Sequence, residues 1–466
     1  MKTVKCLVWV SFILAQFVVV FPAASSPAIA CGDTITSDTT LAADLVCPPD
    51  ADYAVIIGAP DITLDLGGHT ISGHTPNVGV FSVGQGGITI RNGVIEGFNV
   101  GVFVIQADQA TMENLTVRNL DISDPDHMLF GIQIDGSQNV VVRDSYFEFI
   151  SAAHKEAVEI YNSYVEVRDI EVQGGGAGVN FSFAGACDPA ANPSNGKVLD
   201  SRFSNVYIAG IEVACSSYAW IEGNVFTASP AVGIGIQSDA WVSGDVTGLT
   251  VKNNFIYDTL LGIEFRGVID SDILDNEIFD NQIWGIAIRQ SLGCLVPETG
   301  LDCFDSTANT VTDNETWGNG IDLYHYENSL GNTWESNTCE NKDGVEIPEC
   351  TPPAAALAIN YTSGRPGSFF TIEGFHFPAD STAAITLNGH ALGSVPTDET
   401  GSLKFLLDTQ QADAGLYTVT ASVNPSASLG FFLDASRRIH PQEGQGTIFN
   451  VPGGISSRLY LPLVSR

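Results

Sequence analysis

Two arginines recur at the same place in a repeated phrase of this sequence. Gly-Ile-Glu-Phe-Arg begins at Gly262 and Gly-Ile-Ala-Ile-Arg begins at Gly285, a spacing of 23 residues. Arg266 and Arg289 therefore hold equivalent positions, and Glu264 lies two residues before the first of them. A guanidinium group donates paired hydrogen bonds to a carboxylate. If the repeat brings the two arginines side by side, they could bind an anionic ligand such as a uronate sugar.

Related phrases along the chain add acidic and aromatic side chains to the same two positions. When each phrase is interpreted as one strand, the first outward position holds Gln133, Glu159, Asn180, Glu212, Gly235, Glu264, Ala287 and Asp322. The second outward position holds Asp135, Tyr161, Ser182, Ala214, Gln237, Arg266, Arg289 and Tyr324. Carboxyl groups can transfer protons, and tyrosine rings can stack on sugars. The predicted glycan-binding residues are Tyr161, Glu264, Arg266, Arg289, Asp322 and Tyr324. The candidates for catalysis are Glu212, Glu264 and Asp322.

The spacing of these carboxylates also has an explanation that needs no ligand. Acidic and neutral residues alternate, so the acids would lie about 9.6 Å apart in strands stacked at ~4.8 Å. Two like charges repel by roughly 3.5 kcal/mol at ~4.8 Å and by about half of that at ~9.6 Å, for an effective dielectric near 20. On a solvated face, Arg–Glu pairs contribute little to stability. Replacing both arginines by alanine is therefore predicted to abolish any binding of an anionic glycan while leaving the melting temperature nearly unchanged.

The repeated phrases predict a parallel β-solenoid. They recur at intervals of roughly 21 to 35 residues, which is typical of stacked supersecondary units. Alternation within each strand directs one set of side chains inward. The predicted inward set includes Ile211, Val213, Ile263, Phe265, Ile286, Ile288, Ile321 and Leu323.

A second recurring phrase supplies a column of turn residues. The column contains Asn92, Asn114, Asp144, Asp169, Asp200, Gly223, Asn253, Asp275, Asp313 and Ser336. Asn, Asp and Gly tolerate left-handed backbone, so the column predicts a bend at the same place in each coil. One position later the chain carries Asn224, Asn254, Asn276, Asn314 and Asn337. Stacked at ~4.8 Å, these asparagines are expected to hydrogen-bond one another along the axis.

The opening of the chain resembles a known family. "CGDTITSDTTLAADLVC" followed by "ITLDLGGHTISG" is similar to the start of secreted bacterial proteins of the right-handed parallel β-helix repeat family, in the pectate-lyase-like superfamily. The resemblance covers residues 31–350 and implies an all-β solenoid of about a dozen coils. Because that superfamily includes polysaccharide lyases, glycoside hydrolases, epimerases and non-catalytic surface proteins, the resemblance leaves the function open.

The N-terminus has the pattern of an export signal. Lys2 and Lys5 precede an apolar run over residues 6–21, and Ala28-Ile29-Ala30 offers a cleavage site. Its removal leaves eight cysteines, and an even number in an exported chain favours disulfides. Pairing of sequence neighbours predicts the bridges Cys31–Cys47, Cys187–Cys215, Cys294–Cys303 and Cys339–Cys350, although eight cysteines allow 105 connectivities.

The pattern changes after residue 350. Residues 351–356 form a short linker, and residues 357–434 contain strands with tight turns, including the hairpin signal Asn388-Gly389. This region resembles an immunoglobulin-like β-sandwich of the kind appended to bacterial exoproteins, as in "RPGSFFTIEGFHFPADSTAAITLNG". Residues 435–466 are expected to be a flexible tail with a short apolar end. The domain prediction is thus a signal peptide (1–30), a β-helix (31–350), the linker, the sandwich and the tail.

The charge excludes several classes of partner. With 54 acidic and 19 basic residues, the formal net charge is −35, which disfavours nucleic acid and anionic membranes. No stretch after the export signal is long and apolar enough to cross a bilayer. The histidines show no metal-binding spacing, and no cofactor is predicted. Calcium stays open through the acidic segments "DISDPD" and "DSDILD".

The sequence therefore predicts a secreted or cell-surface protein, expected to be a monomer, that binds polysaccharide along one outer strand face without catalysis. The alternative is a carbohydrate-active enzyme that works on the same face: a polyuronate lyase, an epimerase or a glycoside hydrolase. A third interpretation is a purely structural surface rod.

Overall fold

The computed structural model describes residues 29–74, 77–118, 129–149, 155–182, 194–214, 216–227, 229–239, 246–295 and 302–457. Residues 1–28, which hold most of the predicted export signal, and the apolar end at residues 458–466 lie outside the described residues. Among the described residues, no helix has the length and apolar character needed to span a bilayer.

One face of the solenoid is a sheet of 13 parallel strands, which we call the long sheet. Its strands, in spatial order, are Asp33–Ile35, Tyr53–Ile57, Val78–Val83, Val100–Ile105, Leu129–Asp135, Lys155–Tyr161, Ala177–Ser182, Ala209–Val213, Ser229–Asp239, Thr259–Arg266, Trp284–Arg289, Ile321–His325 and Lys342–Gly344. Spatial order follows chain order throughout, so each coil adds one strand beside the previous one.

Two further parallel sheets complete each coil, and two bent strands, Thr89–Glu96 and Thr111–Arg118, belong to both of them. The second sheet also contains Thr39–Thr40, Thr63–Asp65, Val140–Arg143, Tyr164–Arg168, Asn195–Leu199, Trp220–Glu222, Thr250–Lys252, Asp272–Leu274, Thr310–Thr312 and Thr333–Glu335. The third sheet also contains Leu45–Val46, Thr70–Ser72, Tyr146–Glu148, Glu171–Gln173, Arg202–Ser204, Val225–Thr227, Phe255–Tyr257, Glu277–Phe279 and Glu315–Trp317. A two-stranded pair, Ser216–Ser217 with Val246–Thr247, and a short helix, Leu292–Leu295, lie in the connections.

The turn between the second and third sheets confirms the predicted column. All ten of its residues have left-handed backbone, with φ between 48° at Asp200 and 71° at Gly223. Asn and Asp adopt this conformation at lower cost than most residues because their short polar side chains bond nearby backbone groups. The recurrence of these residue types is therefore a consequence of the bend.

The asparagine ladder is also confirmed. The Nδ2 of each asparagine donates to the Oδ1 of the next at 2.8–3.0 Å, through Asn224, Asn254, Asn276, Asn314 and Asn337. Two further ladders stand at the other turns: Asn281 donates to Asn319 at 2.8 Å, and Asn309 donates to Asn332 at 2.9 Å. Each buried amide is thus satisfied by the neighbouring coil, which ties the coils into one register.

The core is a continuous stack of inward apolar side chains, and it matches the predicted set except at one coil. Ile321 is only half-buried and pairs with Trp284, whereas Leu323 and His325 take the inward positions beside Ile286 and Ile288. The prediction equated Gly320 with Gly285, but the observed register is displaced by two residues. Since alternation has a period of two, Leu323 is inward in either alignment.

The C-terminal residues form two small sheets, most of whose pairings are antiparallel. The first contains Ala356–Ile359, Phe369–Phe375, Leu403–Asp408 and Thr447–Asn450. The second contains Ser363–Gly364, Ser426–Leu433, Gly415–Ser422, Thr382–Leu387 and His390–Pro396. Both sheets contribute to one apolar core, and we call this unit the C-terminal sandwich. The predicted hairpin at Asn388-Gly389 is present, with φ of 47° and 80° at its two turn residues.

The structure differs from the flexible tail expected after residue 434. Thr447–Asn450 pairs in parallel with Leu403–Asp408, and the Phe449 ring lies 5.6 Å from that of Phe405. Residues near position 440 contact the solenoid. Residues 435–446 were expected to be part of a flexible tail, but charged side chains among them form ion pairs with the solenoid.

The C-terminal sandwich packs on the third sheet of the solenoid. An aromatic ladder of Tyr257, Phe279 and Trp317 stacks at 5.0 and 4.7 Å, and Phe375 of the sandwich lies 4.6 Å from Phe279.

A polar part of the contact centres on Arg202 of the solenoid. It lies 4.6 Å over the ring of Tyr361 and 3.3 Å from Glu443. Tyr361 in turn donates to Glu443 at 2.7 Å. The apolar and ionic contacts together hold the two units as neighbours.

Three of the four predicted disulfides are present: Cys31–Cys47, Cys294–Cys303 and Cys339–Cys350. The first closes the N-terminal end of the solenoid and the last closes the C-terminal end. Cys187 and Cys215 lie outside the described residues.

Glu277 creates a pH dependence near the contact with the sandwich. It stacks against Glu315 of the next coil and beside Phe255 of the previous one. Burial, and then the charge of Glu315, raise the pKa of Glu277 to about 8. Its Oε2 is buried without a hydrogen-bond partner among the described residues.

Because the folded pKa exceeds the ordinary value of 4.5, the folded protein keeps a proton that the unfolded chain releases. The contribution of Glu277 to stability is complete below that ordinary value and is lost as pH rises through the folded pKa. We expect Glu277→Gln to raise the free energy of unfolding by a few kcal/mol at about pH 8.5, at about 1.4 kcal/mol per pKa unit, and to change little at about pH 5. Urea unfolding at the two pH values measures this, with the exposed Glu399→Gln as control. An equal effect at both pH values would contradict the assignment.

Candidate functional site

The outward side chains of the long sheet form three parallel rows. The middle row follows the register through Phe81, Phe103, Gln133, Glu159, Asn180, Glu212, Gln237, Glu264, Ala287, Tyr324 and Asp343. The first row includes Phe130, Glu156, Ala177, Ala209, Leu261, Trp284 and Ile321. The third row includes Asp135, Tyr161 and Ser182 at one end and Arg266 and Arg289 at the other. Most of the predicted site residues therefore share this face.

Gly235 and Gln237 are displaced from their predicted rows. Gln237, not Gly235, pairs with Glu212 and Glu264. The phrase there contains two glycines, and the second one, Gly235, holds the place of Gly262. A Cβ on Gly235 would come within 2.5 Å of the Ile256 side chain, so glycine is required at this position. The middle row consequently alternates carboxylates with amides rather than with a glycine.

Tyr324 and Asp322 are displaced by the same two-residue error at the later coil. Tyr324 pairs with Ala287 in the middle row, not with Arg289. Asp322 is fully buried and does not lie on the outward face.

The carboxylate of Asp322 is occupied by structural hydrogen bonds. It accepts from Asn319 Nδ2 at 2.8 Å and from the backbone N–H of Glu340 at 2.7 Å and of Asn341 at 3.2 Å. Asp322 therefore terminates an asparagine ladder, and the structure corrects its prediction as a catalytic or glycan-binding residue.

The two arginines of the opening phrase do lie side by side, in register across adjacent strands. A single carboxylate accounts for this: Glu264 Oε1 accepts from Arg289 Nη1 at 2.5 Å, and Oε2 lies 3.6 Å from Arg266 Nε. The side chain of Glu264 is 2% exposed, against 14% for Arg266 and 21% for Arg289. The group, which we call the arginine triad, has a net charge of +1 on the outward face of a strongly acidic chain.

An aromatic pair supports one side of the triad. The guanidinium of Arg289 lies 4.5 Å over the ring of Trp284, and Trp284 stacks on Tyr324 at 4.9 Å with an interplanar angle of 12°. The stack restricts the Arg289 side chain and places an aromatic ring beside a cation. Sequence reasoning missed Trp284, although it directly precedes the repeated Gly-Ile phrase.

A pair of acids lies toward the other end of the face. Glu156 and Glu159 are both buried and hydrogen-bond each other. Tyr161 donates to Glu159, and Asn180 Nδ2 lies 3.4 Å from both carboxyl oxygens of Glu156. Sequence reasoning missed Glu156, because its position is apolar in the neighbouring coils at Phe130 and Ala177 and therefore looked like part of the core.

Burial is the largest cause of the raised pKa values in this acid pair. It raises the pKa of Glu159 well above its ordinary range, and the hydrogen bond and charge of Glu156 add to the effect. Burial also raises the pKa of Glu156, and burial together with the charge of Glu159 raises that of Tyr161. Two adjacent buried carboxyl groups oppose each other's ionisation, which agrees with the direction of both pKa shifts. Glu159 Oε2 and Asn180 Oδ1 are buried acceptors without a donor among the described residues.

Glu212 stands between these two groups. It is half-buried and pairs with Asn180 on one side and Gln237 on the other. Glu159 and Glu264 each lie two strands away, or about 9.6 Å at ~4.8 Å per strand. Of the three residues proposed for catalysis from sequence, Glu212 alone combines the outward face with partial exposure, since Glu264 is enclosed by the arginines.

The acidic segments considered for calcium do not form a metal site in the described residues. "DISDPD" lies within residues 119–128, outside the described residues. In "DSDILD", Asp272 begins a strand of the second sheet, while Asp270 and Asp275 lie in the turns on either side with φ of 50° and 53°. Within the described part of the chain, no group of three or more His, Cys, Asp or Glu is arranged to hold a metal ion.

Comparison with protein families shows where the chain belongs. The family described as "Right handed beta helix region" matches residues 55–192 and 190–359, more than half of the chain. The chain is therefore a member of the right-handed β-helix family. Comparison with curated protein sequences finds no match.

Several solved structures are similar at low identity. The mannuronan C-5 epimerase AlgE6 A-module of Azotobacter vinelandii is 14% identical, with 68% of this chain and 91% of that chain covered and a TM-score of 0.40. PfbA, a surface adhesin of Streptococcus pneumoniae, is 13% identical, with 84% and 91% covered and a TM-score of 0.43. The catalytic unit of a GH87 α-1,3-glucanase from Streptomyces thermodiastaticus is 14% identical, with 69% and 64% covered and a TM-score of 0.44. Similarities this low carry no functional conclusion.

The sequence alone predicts that removal of the two arginines leaves stability nearly unchanged, but the arginine triad predicts a loss of stability. Because Glu264 is buried, Arg266→Ala with Arg289→Ala leaves a carboxylate without a cation, and we expect the free energy of unfolding to fall by about 3–5 kcal/mol. Adding Glu264→Gln removes the unpaired charge and should recover most of the loss. Urea unfolding of the native, double and triple variants measures the effect.

The matched control for this prediction is Arg91→Ala with Arg118→Ala. These two arginines lie in the bent strands of the solenoid and are partly exposed. Arg91 pairs with Asp65, and Arg118 pairs with Glu96. Their loss should cost less than about 1 kcal/mol in total. If the Arg266/Arg289 double variant unfolds at the native urea concentration, the triad is not the buried ion pair described above.

Proposed function

We propose that this protein is a secreted, extracellular β-helix protein that binds an acidic polysaccharide along the outward face of the long sheet, without cleaving it. The arginine triad is the observation that carries the proposal. Two register-matched guanidinium groups lie beside one carboxylate on the outward face, and each guanidinium carries five N–H donors in a planar fork. A uronate carboxylate matches that fork geometry and charge.

The remaining predicted site residues supply the rest of the contact. Tyr324 stacks beside the triad and Tyr161 lies half-buried farther along the face. Rings at these places can stack on sugars, while Glu212 and Gln237 of the middle row can bond hydroxyl groups. The ligand would then run across the strands, along the solenoid axis, and contact one coil after another.

The export signal in residues 1–30 supports an extracellular location, and so do the three disulfides, since disulfides persist in oxidising compartments. In this proposal the solenoid is residues 31–350 and the linker is residues 351–356. The C-terminal sandwich is an immunoglobulin-like spacer that holds the binding face away from a surface. Its position on the third sheet supports that role.

Catalysis on the same face is the second candidate, and one observation favours it. Burial raises the pKa of Glu159 well above its ordinary range, and Glu212 lies two strands away at about 9.6 Å, near the upper limit of the ~6.5–9.5 Å separation of inverting glycoside hydrolases. A general acid and a general base at that separation could assist hydrolysis. The burial of Glu159 disfavours this role, because a general acid must reach the glycosidic oxygen.

Binding is tested by affinity gel electrophoresis in gels that contain polygalacturonate or alginate. We expect the native protein to be retarded, and the retardation to weaken with salt because charges are screened. The variant Glu264→Gln/Arg266→Gln/Arg289→Gln, which leaves no buried unpaired charge, should bind at least tenfold more weakly. Arg91→Ala/Arg118→Ala is the control for charge. If the triple variant binds like the native protein, the polysaccharide does not use the triad.

Cleavage is tested by prolonged incubation with the same polyuronates and with neutral glucans. We expect no unsaturated or reducing ends to appear. New ends that are absent with Glu212→Gln would replace the binding proposal with a hydrolase or lyase. New ends that persist with Glu212→Gln would place catalysis at other residues.

A further inference from the structure

Tyr218 occupies a position where an aromatic residue is unfavourable. It lies at the turn between the long sheet and the second sheet, with φ of 65°. Register pairing equates it with Gly248, Asp270 and Ala308 of the following coils, which have φ of 64°, 50° and 58°. Left-handed backbone is costly for bulky side chains and is tolerated best by Gly, Asn and Asp.

Burial of the Tyr218 ring does not offset the energetic cost of its left-handed backbone. It lies across Gly248, where an added Cβ would come within 2.5 Å of Tyr218 Cδ1, yet the residue is 75% exposed. The backbone is held in place by the next coil, since the N–H of Tyr218 donates to the Thr247 carbonyl at 2.9 Å. The fold therefore supports a flat ring at the surface.

A second exposed ring follows two residues later in the chain. Ala219 is buried, whereas Trp220 is 38% exposed. At about 3.3 Å per residue, the Cα atoms of Tyr218 and Trp220 lie roughly 7 Å apart. Trp220 Nε1 donates to Glu222 Oε2 at 2.7 Å, which fixes the indole.

Polar groups border the two rings. The other oxygen of Glu222 accepts from Asn253 Nδ2 at 3.1 Å. Asp200 lies in the neighbouring coil, where its N–H donates to the Glu222 carbonyl at 3.1 Å; burial, and then the charge of Glu222, raise the pKa of Asp200. Carboxylate and amide groups bond sugar hydroxyls. Lys197 is in register with Trp220 and Lys252 with Glu222, so acids and lysines both border the rings and neither sign of charge predominates. The surroundings thus favour a neutral, hydroxyl-rich ligand with an apolar ring face.

We propose that Tyr218 and Trp220 form a platform that binds a neutral glycan, with Glu222 and Asn253 bonding its hydroxyl groups. The platform lies at the turn after the strand Ala209–Val213, apart from the arginine triad. It is a second site with a different charge preference, and it does not depend on the acidic-polysaccharide proposal.

The test uses the full mature protein in affinity gels that contain hydroxyethyl cellulose, dextran or a soluble mannan. We expect retardation by at least one of these neutral glycans, and at least a tenfold loss with Trp220→Ala and with Tyr218→Asn. Polygalacturonate in a parallel gel should retard both variants like the native protein. The matched control is Tyr207→Asn, which removes a ring that is 51% exposed at another turn.

Thermal unfolding supplies a readout that a structural role of Tyr218 would not give. Asparagine is favoured in left-handed backbone, so Tyr218→Asn should raise the melting temperature by about 2 °C while it removes glycan binding. A lowered melting temperature would overturn the proposal, because the ring would then be stabilising the turn. Failure of the native protein to bind any of the three neutral glycans, or unchanged binding in both variants, would also overturn it. Loss of polygalacturonate binding alone would affect only the arginine triad.

Discussion

The register between coils is the constraint on which the other features of this molecule depend. Parallel pairing places equivalent residues about 4.8 Å apart, but pairing alone does not prevent a strand from slipping. Asn254 shows what does. Its Nδ2 donates to Asn276 Oδ1 and to the Ile221 carbonyl, while its Oδ1 accepts from Asn224. The hydrogen bonds of such a buried amide are complete only when both neighbouring coils are in register. A register shift would therefore leave unpaired polar groups in the core.

Strict register creates an electrostatic problem on the outward face, because equivalent positions are stacked at short distance. The long sheet solves it in three ways. Amides separate the carboxylates of the middle row, as Asn180 does between Glu159 and Glu212. Burial and mutual repulsion raise the pKa of Glu159 beside Glu156, which disfavours two adjacent charges. A shared carboxylate joins the two arginines. Only the last solution places two cations side by side, which is why the triad differs from its acidic surroundings.

The repeat made much of the fold predictable, because each coil must meet the same local requirements. The left-handed turn column, the asparagine ladder and the adjacency of Arg266 and Arg289 all follow from residue types at a fixed place in the repeat. The failures have a common cause. A phrase with two glycines at Gly233 and Gly235, or with a displaced start at Gly320, leaves the alignment ambiguous by two residues, and a period of two cannot reveal the error. Glu156 was missed because its position is apolar in the neighbouring coils, although its side chain is buried on the outward face rather than in the core.

The inside of the solenoid is regular, whereas the energetically unfavourable arrangements lie on its outside. The apolar core and the ladders hold the coils without help from outward side chains, so these positions could be filled by residues with ordinary surface preferences. Instead Arg289 is fixed over Trp284, two acids are buried side by side, and Tyr218 is held in left-handed backbone with its ring exposed. None of these arrangements is required by the register, and at least two of them cost stability. Stability therefore does not explain the acid pair or Tyr218. Because proteins accept local strain and unfavourable burial mainly at functional sites, these positions are candidates for ligand contact.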